Sequence, residues 1–249
     1  MGEIRRPRRM TQWALRLGIA VVFVPLGYVV WDQATFNFGT VERDRIYRSG
    51  QMPRQTLERT IREHHIKTVL NLRGSNRAKG WYRDEVSATN QEGAIQTDIA
   101  MSSCVWMSRA QLGALVESLD TAEYPILIHC AWGSERTGLV SAFAELLRPG
   151  STLEEARAEF SLGYLFVRIN DGKVMAEHLD QYENWLLARK LRHEPAIFRR
   201  WVKEGYVPGV PNREQWLYDP YPLVVITRPG SDPEVIGATE DSSDRPLRK

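Results

Sequence analysis

The stretch Ile128-His-Cys-Ala-Trp-Gly-Ser-Glu-Arg-Thr-Gly138 separates Cys130 from Arg136 by five residues. The apolar run Tyr124 to Ile128 before it reads as a buried strand. After it, Leu139, Val140, Phe143, Leu146 and Leu147 recur at helical spacing. Cys130 therefore falls at a strand-to-helix turn. A loop there turns the backbone N–H groups of Ala131, Trp132, Gly133, Ser134, Glu135 and Arg136 toward one point, at the positive end of the following helix. Such a loop is an anion cradle, and Arg136 adds a planar, two-pronged donor suited to phosphate. The same donors stabilise a thiolate, so Cys130 reads as a low-pKa nucleophile placed beside the anion it would attack.

Toward the N-terminus, Ser108 and Gln111 read as a capping box before a helix whose buried stripe is Leu112, Leu115, Val116 and Leu119. Gly93 to Met101 reads as a strand carrying Asp98, and Trp81 to Gln91 as a helix. His65 to Arg73 reads as another strand, which brings Arg73 to the sheet edge where open α/β sheets place their ligands. Arg54 to Glu63 reads as a short helix. This alternation predicts an α/β domain, with a mainly parallel central sheet flanked by helices. Downstream, Ser151 and Glu154 read as the cap of a helix running to about Leu162. A longer helix is expected over Gly172 to Lys190, with Val174, His178, Tyr182 and Trp185 on one face and His178 at the core edge. A last helix is expected over Ala196 to Glu204, then an aromatic strap at Trp216 to Tyr221.

The N-terminus has a different character. Arg5, Arg6, Arg8 and Arg9 precede a run, Trp13 to Trp31, that is apolar except for Arg16. As a helix it would span roughly 28 Å, against about 30 Å of bilayer hydrocarbon. Tryptophans bracket it as interface anchors do, and Arg16 can snorkel to the headgroups. A cleavable signal peptide is the closest rival. The bulky Val29-Val30-Trp31 offers no small-residue cleavage site, and the arginine pair is only a weak twin-arginine hint. The expectation is one permanent transmembrane helix. Residues 1–12 carry four arginines, whereas Arg43, Arg45 and Arg48 after the run are balanced by Asp32, Glu42 and Asp44. That asymmetry puts the N-terminus in the cytoplasm and the domain on the periplasmic side. The expected organisation is a basic tail over 1–12, an anchor over 13–31, a linker over 32–45, a folded domain over 46–228 and a disordered tail over 229–249.

The stretch around Cys130 resembles the His-Cys-x5-Arg-Ser/Thr motif of the protein tyrosine and dual-specificity phosphatases, with His129, Cys130, Gly133, Arg136 and Thr137 at the fixed points. Ile46-Tyr-Arg-Ser-Gly-Gln-Met-Pro53 and the Arg73-Gly74 strand ending resemble the atypical dual-specificity group in particular. Rhodanese-type sulfur transferases also carry a cysteine in a strand-to-helix loop, but theirs is usually shorter and lacks the Arg-Thr-Gly ending. The resemblance implies a phosphomonoesterase that needs no metal or other cofactor and works through a phosphocysteine. It implies that Cys130 attacks phosphorus, and that Arg136 and the amides of Ala131 to Arg136 hold the phosphoryl oxygens. His129 and Thr137 would support the thiolate, and Arg73 would support the site. The family draws its general acid from a loop before the motif strand, which makes Asp98 the first candidate. The loop Ser102 to Trp106 itself has no carboxylate. Glu135, immediately before the motif arginine, is the alternative.

With a net charge of only +2, the chain shows no electrostatic footprint for nucleic acid. Cys104 and Cys130, its two cysteines, make neither a disulfide framework nor a zinc site. Cys104, in the loop expected to cover the site, is a possible redox partner for Cys130. Ala131 and Trp132 stand where lipid- and inositol-phosphate enzymes of the family often carry lysine, so a highly charged substrate is not favoured. Trp132 could stack on an aromatic ring, while a membrane anchor keeps lipid phosphates in play. The expected partner is a phosphoprotein or a phospholipid. A phosphoinositide or inositol phosphate phosphatase is the alternative within the enzyme class. A membrane-anchored phosphate-binding pseudophosphatase is the alternative outside it.

Overall fold

Four short parallel strands form the centre of the molecule, and their side chains alternate between two cores. The computed structural model describes Gly27 and residues 34–168, 171–212 and 223–237. The expected anchor over 13–31 (Gly27 apart), the aromatic strap and the end of the expected tail lie outside the described residues. Among the described residues, no helix is long and apolar enough to cross a membrane. The larger compact unit begins at Phe36.

The strands are β1 (Gly39–Glu42), β2 (Ile46–Ser49), β3 (Thr68–Asn71), β4 (Ile95–Asp98), β5 (Ile126–His129), β6 (Val224–Thr227) and β7 (Glu234–Ile236). They order as β1-β2-β5-β3-β4-β6-β7. Strands β2, β5, β3 and β4 are parallel. Strands β1, β6 and β7 add antiparallel edges. The sheet is therefore mixed rather than mainly parallel. Strands β1 and β7 run antiparallel because they are joined to β2 and β6 by short turns, while β6 returns from far along the chain and pairs antiparallel with β4. Two expected boundaries move for the same reason. The stretch read as a linker contains β1, and the stretch read as a disordered tail contains β7.

The helices are α1 (Arg54–Glu63), α2 (Gly80–Gln91), α3 (Arg109–Thr121), α4 (Glu135–Leu146), α5 (Leu153–Ala158), α6 (Asp171–Arg189) and α7 (Pro195–Arg200), with a π-turn at Trp201–Gly205. Ser108 caps α3 by accepting from the Gln111 N–H at 3.1 Å. The Gln111 side chain does not close a capping box; it donates to the Ala100 carbonyl instead. Helix α5 is capped one residue later than expected, by a full capping box between Thr152 and Glu155. Helix α4 is buried on nearly every face, as a helix laid against a sheet and covered by a second layer must be.

Period-2 alternation assigns the faces. Leu70, Ile126 and Ile128 face the larger core, with residues of α3, α4, α6 and α7. Val69 and Leu127 face the smaller core, with Leu57 and Ile61 of α1 and Ala88 of α2. Register then places the strand ends. Asn71 pairs with both Asp98 and His129, so all three side chains lie on the α1/α2 face, two residues beyond Val69 and Leu127.

Candidate active site

Cys130 follows the last residue of β5, and α4 begins at Glu135. The loop between them is held from outside by its carbonyls. The Ala131 carbonyl accepts from the Gln51 N–H at 3.2 Å. The Trp132 carbonyl accepts from Asn37 Nδ2 at 3.1 Å. The Gly133 carbonyl accepts from an Arg48 Nη at 2.8 Å. With three successive carbonyls tied outward, the peptide N–H groups turn inward, and the Gly133 N–H donates to Cys130 Sγ at 3.3 Å. Gly133 sits at φ +73°, and a Cβ there would stand 2.6 Å from the Gly50 nitrogen. Only glycine meets both demands.

Arg48 is fully buried. Its other Nη donates to the Glu159 carboxylate at 2.6 Å and to the Glu159 carbonyl at 2.8 Å. The guanidinium lies 3.6 Å from the centre of the Tyr164 ring. The β2 strand thus carries a cation through the core to fix the loop, and Asn37, which also bonds the Tyr164 carbonyl, fixes it from the other side.

Arg136 is oriented by two backbone carbonyls, Met101 at 3.2 Å and Leu72 at 3.4 Å, which share one Nη. Its Nε is buried without a partner among the described residues. Arg73 stacks on Trp81 at 3.5 Å and donates to Gln51 Oε1 at 2.8 Å. Burial lowers its pKa, and Arg136 adds to that through like-charge proximity. The Cys130 thiol is 1% exposed. Burial alone would raise its pKa. The Arg136 charge, the Thr137 hydroxyl and N–H and the Trp132 N–H outweigh burial and bring it below the ordinary thiol value. The Thr137 hydroxyl also reaches the Ser49 carbonyl at 3.4 Å.

The structure brings Cys130, the Ala131 to Arg136 loop, His129, Thr137 and Arg73 together. Asp98 lies in the buried network behind them, sharing Gln96 with Glu85. Asp98 is 1% exposed on the α2 face. Its carboxylate accepts from Tyr82 Oη at 2.5 Å, Asn71 Nδ2 at 2.9 Å and Gln96 Nε2 at 3.0 Å. Burial raises its pKa to about 6 despite those donors. Glu135 is partly exposed in the first turn of α4, next to Arg136. Cys104 is exposed, with Sγ 3.3 Å from Ser102 Oγ, and both cysteines are free thiols. Its loop is anchored at both ends. Met101 holds Arg136, and the Trp106 N–H donates to the Pro211 carbonyl at 3.0 Å.

Sequence reasoning passed over Asn37, Arg48, Gln51, Glu85 and Glu159. For Arg48 a signal existed, since it is the arginine of the Tyr-Arg-Ser opening. Glu85 offered one too: it shares the stripe of α2 with Tyr82, Ala88 and Thr89.

Residues 32–204 match the family model described as the tyrosine phosphatase family. The chain belongs to that family. It is a protein-tyrosine/dual-specificity-type phosphatase, an enzyme of phosphomonoester hydrolysis through a phosphocysteine. No curated protein matches the chain in sequence. Among solved structures it is similar to TpbA of P. aeruginosa, with 19% identity over 59% of this chain and 88% of that one, and a TM-score of 0.47. It is also similar to the core catalytic domain of the PP-IP phosphatase Siw14 of S. cerevisiae, with 24% identity over 62% and 91% and a TM-score of 0.46. Tk-PTP is similar at 18% identity over 58% and 96%, with a TM-score of 0.43.

Proposed function

We propose that the enzyme dephosphorylates phosphoproteins, phosphotyrosine above all, from a single-pass anchor at residues 13–31 that holds its catalytic domain on the periplasmic side. In this reading Cys130 Sγ attacks phosphorus and the bond to the leaving oxygen breaks. The loop N–H groups and the Arg136 fork take the three equatorial oxygens. Glu135, rather than the sequestered Asp98, gives its proton to the departing oxygen. Water then attacks the phosphocysteine, Glu135 takes the water's proton, and the P–S bond breaks to return the thiolate beside Thr137 and His129. The observation that supports this most directly is the buried Nε of Arg136, without a partner among the described residues, beside a loop whose Ala131, Trp132 and Gly133 carbonyls are tied outward. Trp132, 65% exposed on the loop, and the Trp81–Arg73 stack supply flat walls for an aromatic ring. A second reading, a phosphoinositide substrate, draws support from exposed Arg77 and Lys79 beyond Arg73 and from the proposed anchor.

The test is a substrate panel of phosphotyrosine and phosphoserine peptides, phosphoinositide micelles and an inositol polyphosphate, assayed with wild type, Cys130→Ser, Glu135→Gln and Asp98→Asn. Phosphotyrosine should give the highest kcat/KM, and Cys130→Ser should abolish turnover. Glu135→Gln should lose about 10²-fold or more on poor leaving groups and far less on p-nitrophenyl phosphate. If Asp98→Asn shows that leaving-group pattern instead, the proton donor is Asp98. Full turnover in Cys130→Ser would overturn the mechanism.

A further inference from the structure

Glu85 is out of character for its helix. It lies in the buried stripe of α2 and is 1% exposed. A carboxylate there costs several kcal/mol, on the order of the desolvation of one ion, unless its surroundings replace water. Three other segments do so. Gln51 Nε2, from the β2–α1 turn, donates to Oε2. Gln96 Nε2, from β4, donates to Oε1 at 2.6 Å. His129 Nε2, from β5, stands 3.3 Å from Oε1, an ion-pair distance. The remaining titratable groups that act on this site are Tyr82 of the same helix, Asp98 behind Gln96, and Arg73 beyond Gln51.

Two of these partners lead straight to the reacting cysteine. His129 precedes Cys130, and its Nδ1 lies 3.4 Å from the Cys130 carbonyl. Gln51 holds the Ala131 carbonyl with its backbone N–H and the Arg73 guanidinium with Oε1. One buried carboxylate therefore braces the back of the loop and its cationic wall together.

We propose that Glu85 is a positioning residue of the phosphatase reaction: paired with His129, it keeps a positive charge behind the Cys130 loop, and through Gln51 it orients Arg73 and the Ala131 peptide. It touches neither substrate nor a reacting atom, and the inference rests on the reading of Cys130 as the nucleophile. Two cations then flank the thiolate, Arg136 in front and His129 behind. Burial taken alone would raise Glu85 and lower His129; the pair reverses both, leaving Glu85 below and His129 above its ordinary value. Losing the carboxylate removes the reason for His129 to stay protonated, and the thiolate loses one of its two counter-charges.

The experiment uses the full chain with Cys104→Ser, so that Cys130 is the sole thiol. The rate of Cys130 alkylation by iodoacetamide is followed against pH, with and without Glu85→Gln, beside kcat and KM on p-nitrophenyl phosphate. Glu85→Gln should slow alkylation at pH 6 about tenfold, a one-unit rise in the thiol midpoint. The acidic limb of kcat/KM should move up with it. Glu85→Asp, which keeps the charge, should recover most of the shift, and it carries the test alone if Glu85→Gln does not fold. A variant with a lower melting temperature but an unmoved alkylation profile would reduce Glu85 to a core brace and overturn the proposal. Alkylation does not require turnover, so an inactive wild type would refute the phosphatase reading without touching this result.

Discussion

At the scale of single residues, the loop tolerates little change because its neighbours are backbone. Gly133 illustrates this. An alanine there would hold a left-handed conformation at a cost of about 1–2 kcal/mol. Its Cβ would also meet the Gly50 nitrogen at 2.6 Å and the Ser49 carbonyl carbon at 2.7 Å, neither of which can rotate away. Relief must come from displacing the loop, and a misplacement on the order of 1 Å costs about 10²-fold in rate. Gly133→Ala is therefore expected to lower kcat/KM on p-nitrophenyl phosphate by roughly that factor, with a reduced melting temperature. Gly113, in α3 with nothing within 4 Å of its would-be Cβ, is the matched control. Gly113→Ala should leave kcat/KM alone and stabilise the fold by roughly 0.5–1 kcal/mol, read from urea unfolding.

At the scale of elements, the β4–α3 loop is clamped by the C-terminal helices. The Trp106 ring stacks on His178 at 4.2 Å, and a Cβ on Gly209 would strike the indole. Tyr206 Oη donates to the Met107 carbonyl at 2.8 Å. His178, fully buried on α6, donates from Nδ1 to the Val174 carbonyl at 2.8 Å. Burial lowers its pKa to about 4. The folded value lies below the unfolded value of about 6.5, so the unfolded chain binds the proton first. Stability is lost as pH falls through that window, by roughly 3 kcal/mol near pH 4. His178→Phe should flatten this part of the acid limb, measured as the change in urea midpoint between pH 7 and pH 4.5. An unaltered acid slope in the variant would show that the clamp titrates elsewhere.

At the scale of the whole molecule, the described domain has two cores of its own, one on each face of the sheet. The arginine block before Trp13 and the balanced charge after Trp31 set the proposed orientation. A reporter active only in the periplasm, fused after Lys249, should be active in the full chain and silent when residues 1–31 are removed. A bright cytoplasmic reporter at the same position would reverse the topology.

The sequence by itself determined the reacting centre. Cys130, the loop amides, Arg136 and Thr137 are contiguous, and one strand-turn-helix brings them to a point whatever surrounds it. The alternation of elements likewise determined the α/β class and the parallel centre. It was silent on the hairpin edges, because Gly39–Glu42 and Glu234–Ile236 bury no residue and so carry no run or alternation of core side chains to mark them as strands. Only the tertiary structure decided what holds the loop and where Asp98 goes. Arg48 meets Glu159 across 111 positions of sequence and Gly133 across 85, distances over which no local pattern carries information. A polar residue near a strand end can face solvent, site or core, and the choice depends on register with strands far away in the chain. Register put Asp98 beside Asn71 and in line with His129, where burial and three side-chain donors enclose its carboxylate. The same register left room beneath the loop for a carboxylate from α2, and Glu85 occupies it.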